Sequence, residues 1–418
     1  MSERRGKTLL IISQTFVPDP ASVGQHVADV AIEMARRGHN VRVLASARGY
    51  ENPQNKYPAR ENLHGVDVRR VPLASFGKKS IPLRVIGTAA FMGQIFFRAL
   101  FTPNLGGIFF STSPPLVGLV GTIVAMIRRV PSVYWAMDLN PDQLIAMKKI
   151  GPRSFIARIL EGVNRWILWR TDLIIALDRF MAERLERRSP KLRDKMLVLP
   201  PWPHEEHIAP GADALTNGVN PFRERHDLTG KFVVMYSGNH SPSNPLDTIL
   251  EAAKELRDDD TIRFLFVGGG IGKRPVEEFI GAHDLKHAMS LPYQPLSELK
   301  HSLSAADVHV VSLGEDMVGI IHPCKIYGAM AAARPILFLG PKPSHITDLL
   351  DAHQLGWHVG HGDVSGAVSA IRAMREMSSD KLSKMGNHAQ VVLQQNLSQQ
   401  RLCGTMCDRV EATIFGGK

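Results

Sequence analysis

TLLIISQTFVPDPASVGQHVADVAIEMARRGHNVRVLAS, residues 8–46, holds a whole strand–helix–strand pattern. TLLIIS (8–13) is an unbroken apolar run, as expected of a strand buried on both faces. The loop QTFVPDPA follows. Ser22 then begins a helix, with Gln25 three residues on as a capping-box partner. Val23, Val27, Val30 and Met34 make one side of that helix apolar. Arg36, Arg37 and Gly38 stop it, and VRVLAS (41–46) is a second strand. Two such strands joined by a helix pair in parallel through a right-handed crossover, so the fold class is α/β.

The alternation continues outward from there. GIFFSTS (107–113), SVYWAMD (132–138), DLIIAL (172–177) and MLVLP (196–200) read as later strands. Residues 201–228, rich in Pro, Gly and Asn, show no sustained period and mark a boundary. Beyond it the pattern restarts. KFVVMYSG (231–238) is a strand, and Asn244-Pro245 cap a helix carrying Leu246, Ile249, Leu250, Ala253 and Leu256 on one side. TIRFLFVGGG, MSLPY, DVHVVSLG and PILFLG follow as strands and turns. A chain of 418 residues exceeds one ordinary core. It divides into two doubly wound α/β domains, 1–205 and 206–395.

At 44% apolar and 22% charged residues the composition is globular. The opening MSERRGKTLLIIS runs into a strand without a cleavage pattern, so no secretory leader is expected. Cys324, Cys403 and Cys407 form no metal spacing and point to a reducing cytoplasm. The formal charge of +10 is uneven: residues 1–210 carry 30 Lys and Arg against 17 Asp and Glu, and the rest is net −3. A basic first half implies an anionic partner, either a membrane surface or a phosphorylated substrate. Nucleic acid is not expected, because pairs such as Arg69-Arg70, Lys78-Lys79, Arg128-Arg129 and Arg187-Arg188 carry no finger, aromatic or recognition-helix signature. Residues 81–101 are apolar but interrupted by Arg84, Gln94 and Arg98, and 115–127 are too short to span a bilayer. The first of these fits either a core helix or one lying in a membrane interface.

Ligands of parallel sheets gather beyond the carboxyl ends of the strands. Gly24 lies in the first helical turn after the first strand, where it either admits an anion to free amides or serves close packing. Asp138 ends SVYWAMD and either orients or deprotonates a hydroxyl or caps the turn before Pro141. Gly238 and Asn239 open a loop of small residues, and Gly268, Gly269 and Gly270 open another. GGGIGKR does not match a phosphate loop, having the wrong glycine spacing and Arg274 in the Ser/Thr place, and suits a sharp turn beside a flat ring. In GEDMVGIIHPCKIYGAMAAARPILFLG (314–340), Pro323 occupies a first helical position and Lys325 sits in the first turn. A lysine there opposes the helix dipole unless an anion neutralises it. A diphosphate would do so, with Glu315 or Asp316 holding neighbouring hydroxyls; the alternative is an ion pair of Lys325 with one of those acids in solvent. His322 is either part of this constellation or a packing histidine beside Pro323. No histidine pattern indicates a catalytic metal, so none is expected.

GIIHPCKIYGAMAAARPILFLG resembles the Pro-Ser-Lys-x-Tyr-Gly segment of family 4 retaining glycosyltransferases, of the bacterial polysaccharide and colanic-acid type. MARRGHNVRVLA, STSPPLVGLVG, DLNPDQ and VVMYSGNHS resemble further segments of that family, in the same order. The resemblance implies the GT-B architecture, two Rossmann-like doubly wound domains facing a cleft, with a C-terminal helix in 396–418 crossing back to the first. It implies a nucleotide-sugar donor, UDP-linked, on the second domain, and a lipid-linked saccharide or polysaccharide acceptor on the first. Transfer would retain the anomeric configuration without metal or cofactor; the basic first half fits docking on the inner face of the cell membrane. By motif match, Lys325 and Gly24 lie near the diphosphate, and Glu315 or Asp316 near the sugar or ribose. His322, Pro323 and Cys324 fall in the same segment. Gly268 to Gly270 and Tyr293, Gln294 and Pro295 border the base, and Asp138 the acceptor. The sequence departs from many relatives at Ile320 and Gly328, where they carry paired glutamates, and in GNHSPSNP, which lacks their Arg and Lys. Two alternatives stand beside this reading: a nucleotide-sugar-binding scaffold without turnover, which the missing loop cations fit, and a nucleotide-sugar epimerase, which would need closely paired carboxylates and histidines that the sequence does not show.

Overall fold

The computed structural model describes residues 6–49, 52, 54–73, 81–204 and 220–416. Lys78-Lys79 and most of the boundary segment, 205–219, lie outside them. The chain forms two compact units. The first gathers residues up to 201, 319–321 and from 400 onward; the second holds 202–318 and 322–399.

The first unit runs β1 (Thr8–Ile12), α1 (Ser22–Arg36), β2 (Asn40–Ser46), β3 (Arg60–Leu63), β4 (Val66–Val71), α2 (Ile81–Leu100), β5 (Leu105–Phe110), α3 (Val117–Arg128), β6 (Ser132–Ala136), α4 (Asp142–Ala146), α5 (Phe155–Arg170), β7 (Leu173–Ala176), α6 (Arg179–Glu186) and β8 (Met196–Val198). Its sheet has the order β3-β4-β2-β1-β5-β6-β7-β8. Every neighbouring pair is parallel except β3–β4, an antiparallel hairpin whose turn has His64 and Gly65 at positive φ. Strand order reverses at β1, so the loops after β1 and β5 flank the switch point where ligands of such sheets collect. Leu9 to Ile12, Ile108 to Phe110 and Trp135 are fully buried between helix layers, which is why these strands read as unbroken apolar runs. α2 is a core helix on one side, where Phe91, Ile95 and Ala99 are buried, while Ile86 and Phe97 stand exposed on the other.

The second unit runs α7 (Pro221–Arg225), β9 (Phe232–Ser237), α8 (Asp247–Glu255), β10 (Ile262–Val267), α9 (Lys273–Ala282), β11 (Ala288–Leu291), α10 (Leu299–Ser304), β12 (Val308–Ser312), α11 (Lys325–Ala331), β13 (Ile336–Leu339), α12 (His345–His353), β14 (Gly356–Val359), α13 (Val364–Glu376) and α14 (Ser379–Asn396). Its six strands are all parallel, in the order β11-β10-β9-β12-β13-β14. The reversal falls between β9 and β12. The last helix, α15 (Gln399–Phe415), packs on the first unit, where Arg37 bonds Asp408 and Glu411 and His39 stacks on Phe415 at 4.3 Å.

Three expected helix starts differ in detail. α1 does begin at Ser22, but no capping box forms: its N-cap is Ala21, and Ser22 Oγ turns to His26 instead. Here Asp19 fixes the entry by accepting from the Ala21 amide. α8 begins at Asp247, two residues beyond Pro245, because Asn244 and Pro245 belong to the loop tied to β12. Pro323 is not at the first helical position; α11 begins at Lys325, after a tighter turn in which Ile326 and Tyr327 donate to Pro323 and Cys324.

Candidate functional site

The switch point of the second unit assembles most of the expected residues. The loops after β9 and β12 are joined there: the Gly314 amide donates to Ser243 O, and Ser312 Oγ donates to Pro245 O at 2.6 Å. Gly238, just after β9, has φ +136°, and a Cβ on it would lie 2.6 Å from Lys325 Cε. The lysine side chain therefore runs directly along the backbone of that loop. Its ammonium stands 5.4 Å from the centre of the Tyr236 ring, a cation–π distance.

Lys325 is half-buried, and burial pulls its ammonium down to about 8. Among the described residues no carboxylate pairs with it. Glu315 and Asp316 lie exposed on a short 3-10 turn, Glu315–Met317, so the expected alternative of a solvent ion pair with Lys325 does not form. A partly desolvated cation without a counter-ion lowers its cost when an anion binds. The backbone offers less than the sequence implied. The amides of Cys324, Ile326 and Tyr327 are already taken by turn hydrogen bonds, leaving that of Lys325 without an acceptor among the described residues.

Gly268, Gly269 and Gly270 form the turn after β10. Gly268 has φ +136°, and any Cβ on it would meet Gly238 O at 2.0 Å, so only glycine lets the two loops touch. Tyr293 lies edge-on to this turn, its hydroxyl donating to Gly269 O at 3.4 Å, and is half exposed. Gln294 donates to Pro292 O at 2.9 Å, and Pro295 stands at the start of the short 3-10 turn Leu296–Glu298. Lys273, one of the two cations of GGGIGKR, donates to Gly268 O and Leu291 O, both at 3.0 Å. It locks the turn.

His240 was not among the residues singled out from sequence. It is 1% exposed, its Nδ1 lies 3.1 Å from Gly238 O, and its Nε2 has no partner among the described residues. Burial, with Lys273 and Lys325 adding, holds its pKa below the ordinary value, so it sits there as neutral imidazole. Nothing but its place after β9 marked it. His322 is buried, its Nε2 2.6 Å from Tyr327 Oη, and Tyr327 lies 3.2 Å from His345 Nε2. It orients the start of α11 through this chain. Cys324 is exposed and turns its thiol to His322 O.

In the first unit the two candidates separate. The Gly24 amide donates to Ala21 O, and a Cβ would meet the Thr15–Phe16 backbone at 3.0–3.1 Å. Its role is close packing of α1 on the loop after β1, and its amide is not free for an anion. Asp138, beyond β6, is half-buried, and no hydrogen bond or salt bridge reaches its carboxylate among the described residues. Burial pushes its pKa up to about 6. It does not cap the turn that follows, since α4 has no side-chain cap.

Residues 22–202 match the glycosyl transferase 4-like domain, and 220–391 match glycosyl transferases group 1. The chain is 26% identical over 319 residues to the probable glycosyltransferase WbjE of Pseudomonas aeruginosa, covering 74% of this chain and 76% of that one. It is 22% identical over 339 residues to the putative colanic acid biosynthesis glycosyl transferase WcaI of Escherichia coli K12, covering 77% and 81%. The crystal structure of Anabaena Alr3699/HepE in complex with UDP and glucose superposes with a TM-score of 0.71 at 14% identity, over 97% of this chain and 100% of that one. The two parallel-sheet units thus have the GT-B fold, and the chain belongs to the family 4 glycosyltransferases, with a 4-like domain followed by a group 1 domain.

Proposed function

We propose that this glycosyltransferase moves a sugar from a UDP-sugar to a lipid-linked saccharide or polysaccharide, with retention of configuration and without a metal, at the inner face of the membrane. The observation that carries the donor part is Lys325, a half-buried ammonium with no carboxylate partner among the described residues, at the switch point of the second sheet. In the reaction, charge develops on the departing nucleoside diphosphate. Lys325 and its own amide would stabilise that charge. A donor phosphate oxygen would take the proton of the attacking hydroxyl, so no protein base is required, and Asp138 would position the acceptor. HepE bound to UDP and glucose supports a uridine donor, and WcaI supports an acceptor of the polysaccharide kind. Tyr293, half exposed beside Gly269, would border the base.

The test is turnover: release of UDP from UDP-sugars in the presence of a lipid-diphosphate acceptor, with and without chelator. Wild type should turn over in chelator, and Lys325→Ala should lose activity by about 100-fold or more, the usual effect of removing one preorganised charge. Turnover unchanged in Lys325→Ala, or lost in chelator, would refute the mechanism. Nucleotide binding with no release for any sugar would leave a scaffold.

A further inference from the structure

From Val68 to Met137 the chain contains no Asp or Glu, yet it carries Arg69, Arg70, Lys78, Lys79, Arg84, Arg98, Arg128 and Arg129. Among the described residues, this stretch supplies α2 and α3, which the fold lays beside α5. The crossovers β4–α2–β5, β5–α3–β6 and β6–α5–β7 all step the same way across the first sheet, which puts α2, α3 and α5 on one side of it. α2 packs on α3, and α3 on α5. The β1–α1–β2 crossover steps the other way, so α1, with α15 against it, covers the opposite side.

The outward side of the α2–α3–α5 layer is apolar and aromatic to an unusual degree. Phe97 is 61% exposed and Phe101 76%, Met126 and Ile127 stand out at the end of α3, and on α5 Phe155 is 76% and Trp169 61% exposed. Single exposed apolar residues are ordinary; a row across three adjacent helices is not. α5 is the clearest case. Ala157, Asn164, Ile167 and Leu168 are buried against the sheet. At 100° per residue, Phe155, Ile159, Trp166 and Trp169 then fall on the opposite side, with Arg158 and Arg165 along one flank and Arg170 along the other. Arg170 lies 4.6 Å from the Trp169 ring. The only carboxylate on the three helices is Glu161, which is paired with Arg188 at 2.9 Å. At the C-terminal end of α2 the layer adjoins a pocket of about 370 Å³ lined by Arg42, Arg60, Arg69, Arg98 and Phe101. A single carboxylate, Asp67, bonds Arg42 and Arg69 there.

We infer that this helix layer docks on the surface of an anionic lipid bilayer, with aromatic and aliphatic side chains entering the headgroup region, arginines meeting lipid phosphates, and the four-arginine pocket taking one headgroup. Bulky apolar residues flanked by arginines are what such an interface selects. A second copy of the chain is disfavoured by charge, since a two-fold contact would set these arginines against themselves. A nucleic acid would engage the arginines and leave Ile127, Ile156 and Ile159 in water. The inference rests on the membrane-side placement proposed above and names the face responsible.

The experiment is flotation of the full chain with vesicles of phosphatidylcholine alone and of phosphatidylcholine with phosphatidylglycerol, with UDP thermal shift run in parallel on every variant. Wild type should float with the anionic vesicles only, and less at high salt. Phe155→Ser with Trp169→Ser, and separately Arg158→Glu with Arg165→Glu, should each weaken flotation at least tenfold. Arg98→Gln should weaken it severalfold, and Arg409→Glu on α15 should leave it unchanged. Equal flotation with neutral vesicles, or flotation indifferent to both double substitutions, would overturn the proposal. So would self-association that the same substitutions abolish while vesicles capture nothing. The UDP shift separates the two readings: a preserved shift without flotation sinks the docking face alone, and flotation without a shift sinks the donor reading alone.

Discussion

Lys325 sets the electrostatics of the second unit. Its ordinary pKa is above 10, and burial brings it to about 8. Between those values the unfolded chain binds the extra proton, so stability rises with pH across that window, and below pH 8 the full cost of the buried charge is present. Lys325→Met should therefore stabilise the nucleotide-free protein at pH 7, by about 1–2 kcal/mol once water reaching the half-buried side chain is allowed for. The gain should fade towards pH 10 in thermal melts. UDP binding has the reverse dependence: an anion needs the ammonium charged, so affinity should fall about tenfold between pH 7 and pH 9. Titration calorimetry on wild type and Lys325→Gln checks this, because the variant should bind weakly with a flat profile. Asp138 behaves oppositely to a paired carboxylate. With its pKa raised to about 6 by burial, the folded state holds a proton the unfolded state releases, and stability falls as pH rises from about 4 to 6. Asp138→Asn should raise the melting temperature at pH 7.5 and not at pH 3.5; no difference at either pH would show the carboxylate to be hydrated. Both residues were legible in the sequence, Asp138 as an acid at a strand end and Lys325 as a cation in the first turn of a helix. Their lack of partners was not, because pairing depends on what other loops bring near.

Among the elements, the parallel strands were readable because burial on both faces leaves an unbroken apolar run. The β3–β4 hairpin was missed, and its chemistry explains why. Arg70 in β4 is completely buried, which no apolar pattern announces; its guanidinium donates to Pro58 O, Val17 O and Glu61. A buried charge with one partner removed is costly, so Glu61→Ala should destabilise the protein by about 3–5 kcal/mol in urea unfolding. An effect below 1 kcal/mol would mean that the two carbonyls suffice. β14 escaped for a different reason. GWHV is short, and only its last residue is buried, because β14 lies at a sheet edge. The start of α1 at Ser22 was legible, but its capping box does not form, because Ser22 turns to His26 in its own helix. The starts of α8 and α11 were placed two residues early, because the residues at 244–245 and 323 belong to the loop and turn that precede each helix.

At the scale of the molecule, two parallel sheets with a reversal in each account for where ligands gather. If the donor binds as proposed, UDP should slow amide hydrogen exchange in the loops at 238–244, 268–272 and 322–327, and leave β1, β5 and β6 of the first unit unchanged. Protection confined to the first unit would place the nucleotide elsewhere. The amino-acid order alone determined the α/β class, the two-unit division and the segment containing Lys325, because strand and helix periodicity and turn chemistry are local properties. Only the folded chain decided that Gly24 packs, that Lys273 locks a turn, that His240 sits beside the lysine, and that α2, α3 and α5 form one layer with exposed aromatic residues and arginines. Those facts depend on contacts between residues far apart in sequence, and no local pattern encodes which loop will supply a partner and which will not.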